Sequence, residues 1–197
     1  MKESIKVALV IVIVSVGIVF AATYLVASET FMPPEFTSAR IEGARLAGEI
    51  VALADSSLAN LEAVYRYNAN KDTQAALVVV SQEILKMKEM QTKAIGLSTE
   101  LEKMARSLEQ IKPNKAKILA TEAVSSEIAL VSHLISYNDY LSQLFHSLKN
   151  SIEAPHLGPG QNIEVLVAKI NEETATINEL DRRFNATLVE FDQVFSN

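Results

Sequence analysis

From Pro33 to the end of the chain the apolar residues recur every three or four positions and none of the segments alternates like a strand, so the pattern predicts helices throughout. Turn signals divide it into four long segments. The first opens at Pro33-Pro34, residues suited to a helix N-terminus, and carries Ile41, Ala44, Gly48, Val51, Leu58, Leu61 and Tyr65 before fading at Tyr67-Asn68-Ala69-Asn70. The second runs from about Asp72 through Val80, Ile84, Met87, Met90, Ala94, Leu97, Leu101, Met104, Leu108 and Ile111, and stops at Lys112-Pro113. Gly96 followed by Thr99-x-x-Glu102 has the form of a break with a capping box. The apolar phase passes through Gly96 without slipping, which favours one continuous helix. The third segment starts near Asn114 and presents Ile128, Val131, Ile135, Leu141, Leu144 and Leu148, then gives way to the connection Asn150 to Asn162. The fourth carries the strongest seam, Ile163, Leu166, Ile170, Ile177, Leu180, Phe184, Leu188, Phe191 and Phe195, with Glu172, Glu173, Asp181 and Arg182 mostly off it. Segments of about 32 to 40 residues give rods of roughly 50 to 60 Å. Two of the three connections are short, which forces sequential helices to run antiparallel. The expected fold is all-α, an up-down-up-down four-helix bundle over 37–197.

Ahead of the bundle stands a different pattern, the unbroken apolar run Val7 to Ala27. Twenty-one helical residues span about 31 Å, matching a hydrocarbon core of roughly 30 Å, whereas the apolar part of a cleaved secretory signal is usually only about 7 to 15 residues long. Val19-Phe20-Ala21 and Val26-Ala27-Ser28 offer small residues where a signal peptidase would cut, but the length favours a retained N-terminal transmembrane helix over 7–27. Lys2 and Lys6 precede the run and the first basic residue after it is Arg40, so 1–6 should be cytoplasmic and everything from the juxtamembrane linker 28–36 onward extracytoplasmic, at the cell membrane. Gly17-xxx-Ala21 is a small-xxx-small spacing that lets two membrane helices approach closely.

Composition narrows the chemistry. Aromatic residues make up 6% of the 197, Trp is absent and Gly and Pro are scarce, which agrees with helix. The formal charge is −6, and without Lys2, Glu3 and Lys6 the remainder has sixteen basic against twenty-three acidic residues. A surface that acidic disfavours nucleic acid and anionic lipid as principal partners. No Cys is present, which excludes disulfides, thiolate metal sites, covalent haem attachment and thiol catalysis together.

Helical bundles often hold di-iron or haem, and both need specific side chains. The Glu-x-x-His pair of a di-iron centre fails at His133 and His146, which follow Leu130 and Gln143 at that spacing, and Glu153-x-x-His156 falls in the Pro- and Gly-rich connection without a second copy. His133, Tyr137 and Tyr140 share one face of the third helix and read most simply as a polar layer. Met87-x-x-Met90 and Met104 read as gap-filling core. No serine stands in a G-x-S-x-G setting and no Gly-rich phosphate cradle is present, so no catalytic residue and no cofactor are assigned. Asn185-Ala186-Thr187 fits the N-glycosylation pattern, inside the fourth helix.

With the anchor in place, the bundle has a near and a far end. Phe31, Met32, Phe36, Phe191, Val194 and Phe195 fall at the near, juxtamembrane end, with Lys112, Lys115 and Lys117 close to lipid headgroups. Tyr65, Arg66, Tyr67, Asn68 and Asn70 fall at the far tip with His156, Leu157 and Pro159, and Tyr and Arg there suit a partner interface. The expectation is a non-enzymatic, membrane-anchored accessory or scaffold subunit whose partners are the bilayer and either other membrane subunits or a second copy of itself. In layout alone the chain resembles the helical sensing domains of chemoreceptors, which implies as the alternative a ligand sensor acting through a partner. A metal or haem carrier is the third reading.

Overall fold

The computed structural model describes residues 31–154 and 163–196. The apolar run 7–27, with Gly17 and Ala21, lies outside them, as do His156, Leu157 and Pro159. Four helices account for nearly all of the described residues: α1 Pro34–Ala69, α2 Thr73–Ser107, α3 Asn114–Glu153 and α4 Ile163–Ser196. A 3-10 turn, Leu108–Gln110, follows α2, and among the described residues there is no strand beyond an isolated bridge between Phe31 and Lys112.

Local chemistry sets the helix ends. Pro34 occupies the first turn of α1, where its missing N–H is not needed, so the first three helical residues of α1 lie inside the segment read as linker. The chain leaves α1 through Lys71 at φ 61°, a left-handed residue that lets it reverse at once. Asp72 then caps α2, its carboxylate accepting the Ala75 N–H at 3.1 Å. At the other end α3 continues to Glu153, four residues into the connection expected from Asn150.

Pairing across α1 and α2 is antiparallel, as the polar links show: Lys93 Nζ to Glu49 at 2.7 Å, Lys86 Nζ to Ser56 Oγ at 3.0 Å, Asn60 Nδ2 to Glu83 Oε1 at 2.6 Å. The same order holds between α3 and α4, where His133 meets Glu173 and Tyr140 meets Lys169. The helices pack as a bundle around one main core that includes Phe36, Ile50, Met90, Leu97, Leu141, Leu144, Phe145, Ile177 and Phe191. α2 is continuous through Gly96. A Cβ there would stand 3.3 Å from Leu46 Cδ1, and one at Gly43 would stand 3.4 Å from Leu97, so both glycines mark close approach of α1 and α2.

The seam of α1 differs from the expected one. Its buried face is Phe36, Ala39, Gly43, Ala47, Ile50, Ser57 and Val64, while Ile41 is 60% exposed, Tyr65 59% exposed and Gly48 on the surface. The reason is the close α1–α2 contact, which small residues make and which hydropathy does not mark. Ile128 of α3 is likewise half-exposed, and Asp181, expected off the α4 seam, is buried. One described helix, α3, is long and apolar enough by length and composition to cross a membrane. Its apolar faces pack against α2 and α4 in the core of the bundle.

Candidate functional site

The end of the bundle formed by the start of α1 and the end of α4 gathers three aromatic rings. The ring of Phe36 lies 5.7 Å from that of Phe191, and Phe191 lies 5.1 Å from Phe195. Phe36 and Phe191 are wholly buried, so they plug the end of the core and do not face outward, while Phe195 is half-buried and Phe31 is 48% exposed. Beside them Arg40 of α1 reaches α4 through a bidentate pair with Asp192, at 2.7 and 2.8 Å, and its guanidinium stands 5.8 Å over the Phe191 ring. This arrangement ties the first turns of α1 to the last turns of α4 with charge-assisted, geometrically matched hydrogen bonds. The Phe31–Lys112 bridge secures the incoming chain to the α2–α3 turn at the same end: Phe31 N–H donates to Lys112 C=O at 3.0 Å, and Lys112 N–H to Phe31 C=O at 2.9 Å.

At the far tip Tyr65, Arg66, Tyr67 and Asn68 occupy the last turn of α1 and are exposed. Tyr65 and Tyr67 present ring area to solvent, the material of a docking anchor.

The polar face of α3 is split among three environments. His133 Nδ1 stands 2.6 Å from Glu173 Oε2, and the Tyr140 ring lies under Lys169 Nζ at 4.8 Å. Tyr137 is buried beside a cavity of about 30 Å³ that Ile50, Asp55, Met90, Leu134 and Ile177 also line. Burial first, and the charge of Asp55 second, push its hydroxyl up to about 12. A space of that size holds a water, not a metabolite. Met87 and Met104 are packed in the core, and among the described residues no group of three or more His, Asp or Glu converges as metal ligands would. Asn185 Nδ2 donates to Asp181 Oδ1 at 3.0 Å and Thr187 is buried, so the glycosylation motif is engaged within the helix.

Sequence reasoning missed three buried carboxylates. Glu83 lies wholly inside, its Oε1 bonded by Asn60 and paired with Lys86 at 2.6 Å while Oε2 has no hydrogen-bond partner among the described residues. Glu127 is buried on α3, and burial, then the charge of Asp181, pushes its carboxyl up to about 7. Asp181 is itself raised by burial, against the lowering effect of Asn185. The signal for all three was phase: Val80-Glu83-Met87, Val124-Glu127-Val131 and Ile177-Asp181-Phe184 each place the acid at seam spacing. Nothing in the sequence joins Arg40 to Asp192.

No protein-family model, curated protein or solved structure matches this chain.

Proposed function

We infer that the protein is a membrane-anchored accessory or scaffold subunit, with residues 7–27 as a single transmembrane helix, the N-terminus in the cytoplasm, and the four-helix bundle outside, where it docks with a larger membrane complex. The observation that carries this reading is the 21-residue apolar run, preceded by Lys2 and Lys6 and separated by only three residues from a chain segment hydrogen-bonded into the bundle. A rod anchored at its base carries its other end away from the bilayer. α1 alone, at 36 residues, carries Tyr65 and Tyr67 about 50 Å from that base. Exposed tyrosines with Arg66 between them suit a protein partner, since they offer contact area with little rotamer entropy to lose.

Co-purification from native membranes in mild detergent tests the reading. The expected result is a complex that is retained by the natural chain and weakened when Tyr65 and Tyr67 are both changed to Ala. Recovery of the single chain alone, or of a chain beginning near Ala22 or Ser28 that stays in solution without detergent, would refute it.

A further inference from the structure

We propose that the base of the bundle is itself a lipid-contact surface, at which Lys112 and Lys115 meet the headgroup phosphates of an anionic bilayer and the Phe31 ring lies beside them. The inference rests on residues 7–27 being a membrane anchor and goes on to say how the bundle sits on it. An anchor alone would leave the rod free to swing.

Chain length limits that swing. Ala27 and Phe31 are four residues apart, a span of at most about 14 Å for a fully extended chain and less along any other path. Phe31 is held by two hydrogen bonds to Lys112, so the α2–α3 turn is carried to the membrane with it. The headgroup layer on each side is roughly 5 to 8 Å thick, a distance the exposed side chains of the turn are placed to meet.

Charge at this end is balanced overall, and the contact rests on a local pair of lysines at the α2–α3 turn. Lys117 is taken up by Glu109 at 2.5 Å, and Asp192 by Arg40. Lys112 and Lys115 are exposed, and among the described residues neither has a carboxylate partner. Glu35 is exposed at the same end, and Glu29 lies two positions before Phe31 in the sequence. Phe31, 48% exposed beside these lysines, adds apolar ring area to the same patch.

The chain has no cysteine, so single labels are clean. The full-length protein carrying Asn114→Cys, at the start of α3, or Tyr67→Cys, at the far tip, is labelled with nitrobenzoxadiazole and reconstituted in nanodiscs of phosphatidylcholine mixed with phosphatidylglycerol. A headgroup spin-labelled lipid is the quencher. Expected is quenching several-fold stronger at the Asn114→Cys label than at the Tyr67→Cys label, reduced when Lys112→Gln and Lys115→Gln are added and reduced in pure phosphatidylcholine. Protein that enters the discs but is quenched no more at the base than at the tip overturns the seating and leaves the anchor standing. Quenching that ignores both the lysines and the lipid charge overturns it too. Protein that fails to float with the discs removes the anchor, and the seating falls with it.

Discussion

Glu127→Gln should stabilise the bundle at neutral and alkaline pH and leave it unchanged in acid. The carboxyl lies in the core on α3, outside the proposed membrane span, and its value is moved from 4.5 to about 7, by burial first and by the charge of Asp181 second. Ionising it in the folded state therefore costs about 3 kcal/mol more than in the unfolded chain. The sign follows from proton counting. Below pH 4.5 the group is protonated in both states and carries no penalty. Between 4.5 and 7 the unfolded chain releases the proton while the folded chain keeps it, so stability falls as pH rises. Above about 7 the whole penalty stands. Gln mimics the protonated acid at every pH. Thermal unfolding of the full-length protein in detergent, followed by circular dichroism, should give equal Tm values for the two proteins near pH 4.5. Near pH 8 the variant should unfold about 6 to 12 °C higher, at 2 to 4 °C for each kcal/mol in a chain of this size. Taking the difference between the two proteins cancels the surface carboxylates, such as Glu42 and Glu179, whose values are lowered by neighbouring arginines and whose effects run the other way. A Tm difference that is the same at both pH values, or a variant less stable at pH 8, would refute the reasoning.

Two further substitutions probe the packing. Gly48→Ala should stabilise by about 1 kcal/mol, visible as a rise in Tm of roughly 2 to 4 °C, because a Cβ at that helical position meets nothing within 4 Å and alanine loses less backbone entropy. Asp192→Asn should destabilise by about 2 kcal/mol, less than for a fully buried pair because Asp192 is 24% exposed, and the coupling to Arg40→Met in a double-mutant cycle should exceed about 1 kcal/mol. Strict additivity of the two changes would show that the α1–α4 clasp is not an energetic unit.

How much of this was legible in the chain depends on the range over which each feature is determined. Helix limits were readable to within a few residues, because Pro33-Pro34, Asp72 and Pro113 act on their own neighbours through φ, a missing donor or a capping carboxylate. The α4 seam was readable for the same reason: large apolar residues from Leu166 to Phe191 repeat with the helical period and are buried. The approach of Phe36 to Phe191 was readable, since the antiparallel order alone brings them together, but not as a surface. Burial of both rings, and exposure of Phe31 beside Lys112, depend on how the end of the core closes. Tertiary contact likewise decided which face of α1 turns inward, because Gly43, Ala39 and Ala47 are buried through closeness to α2 and not through hydrophobicity of their own. It decided the Arg40–Asp192 pair, separated by 152 positions, and the environment that lifts Glu127. A period of three or four residues is imposed by the backbone and can be seen in one helix. Whether a given position is dry, charged against a neighbour or open to solvent is a property of the helix standing opposite.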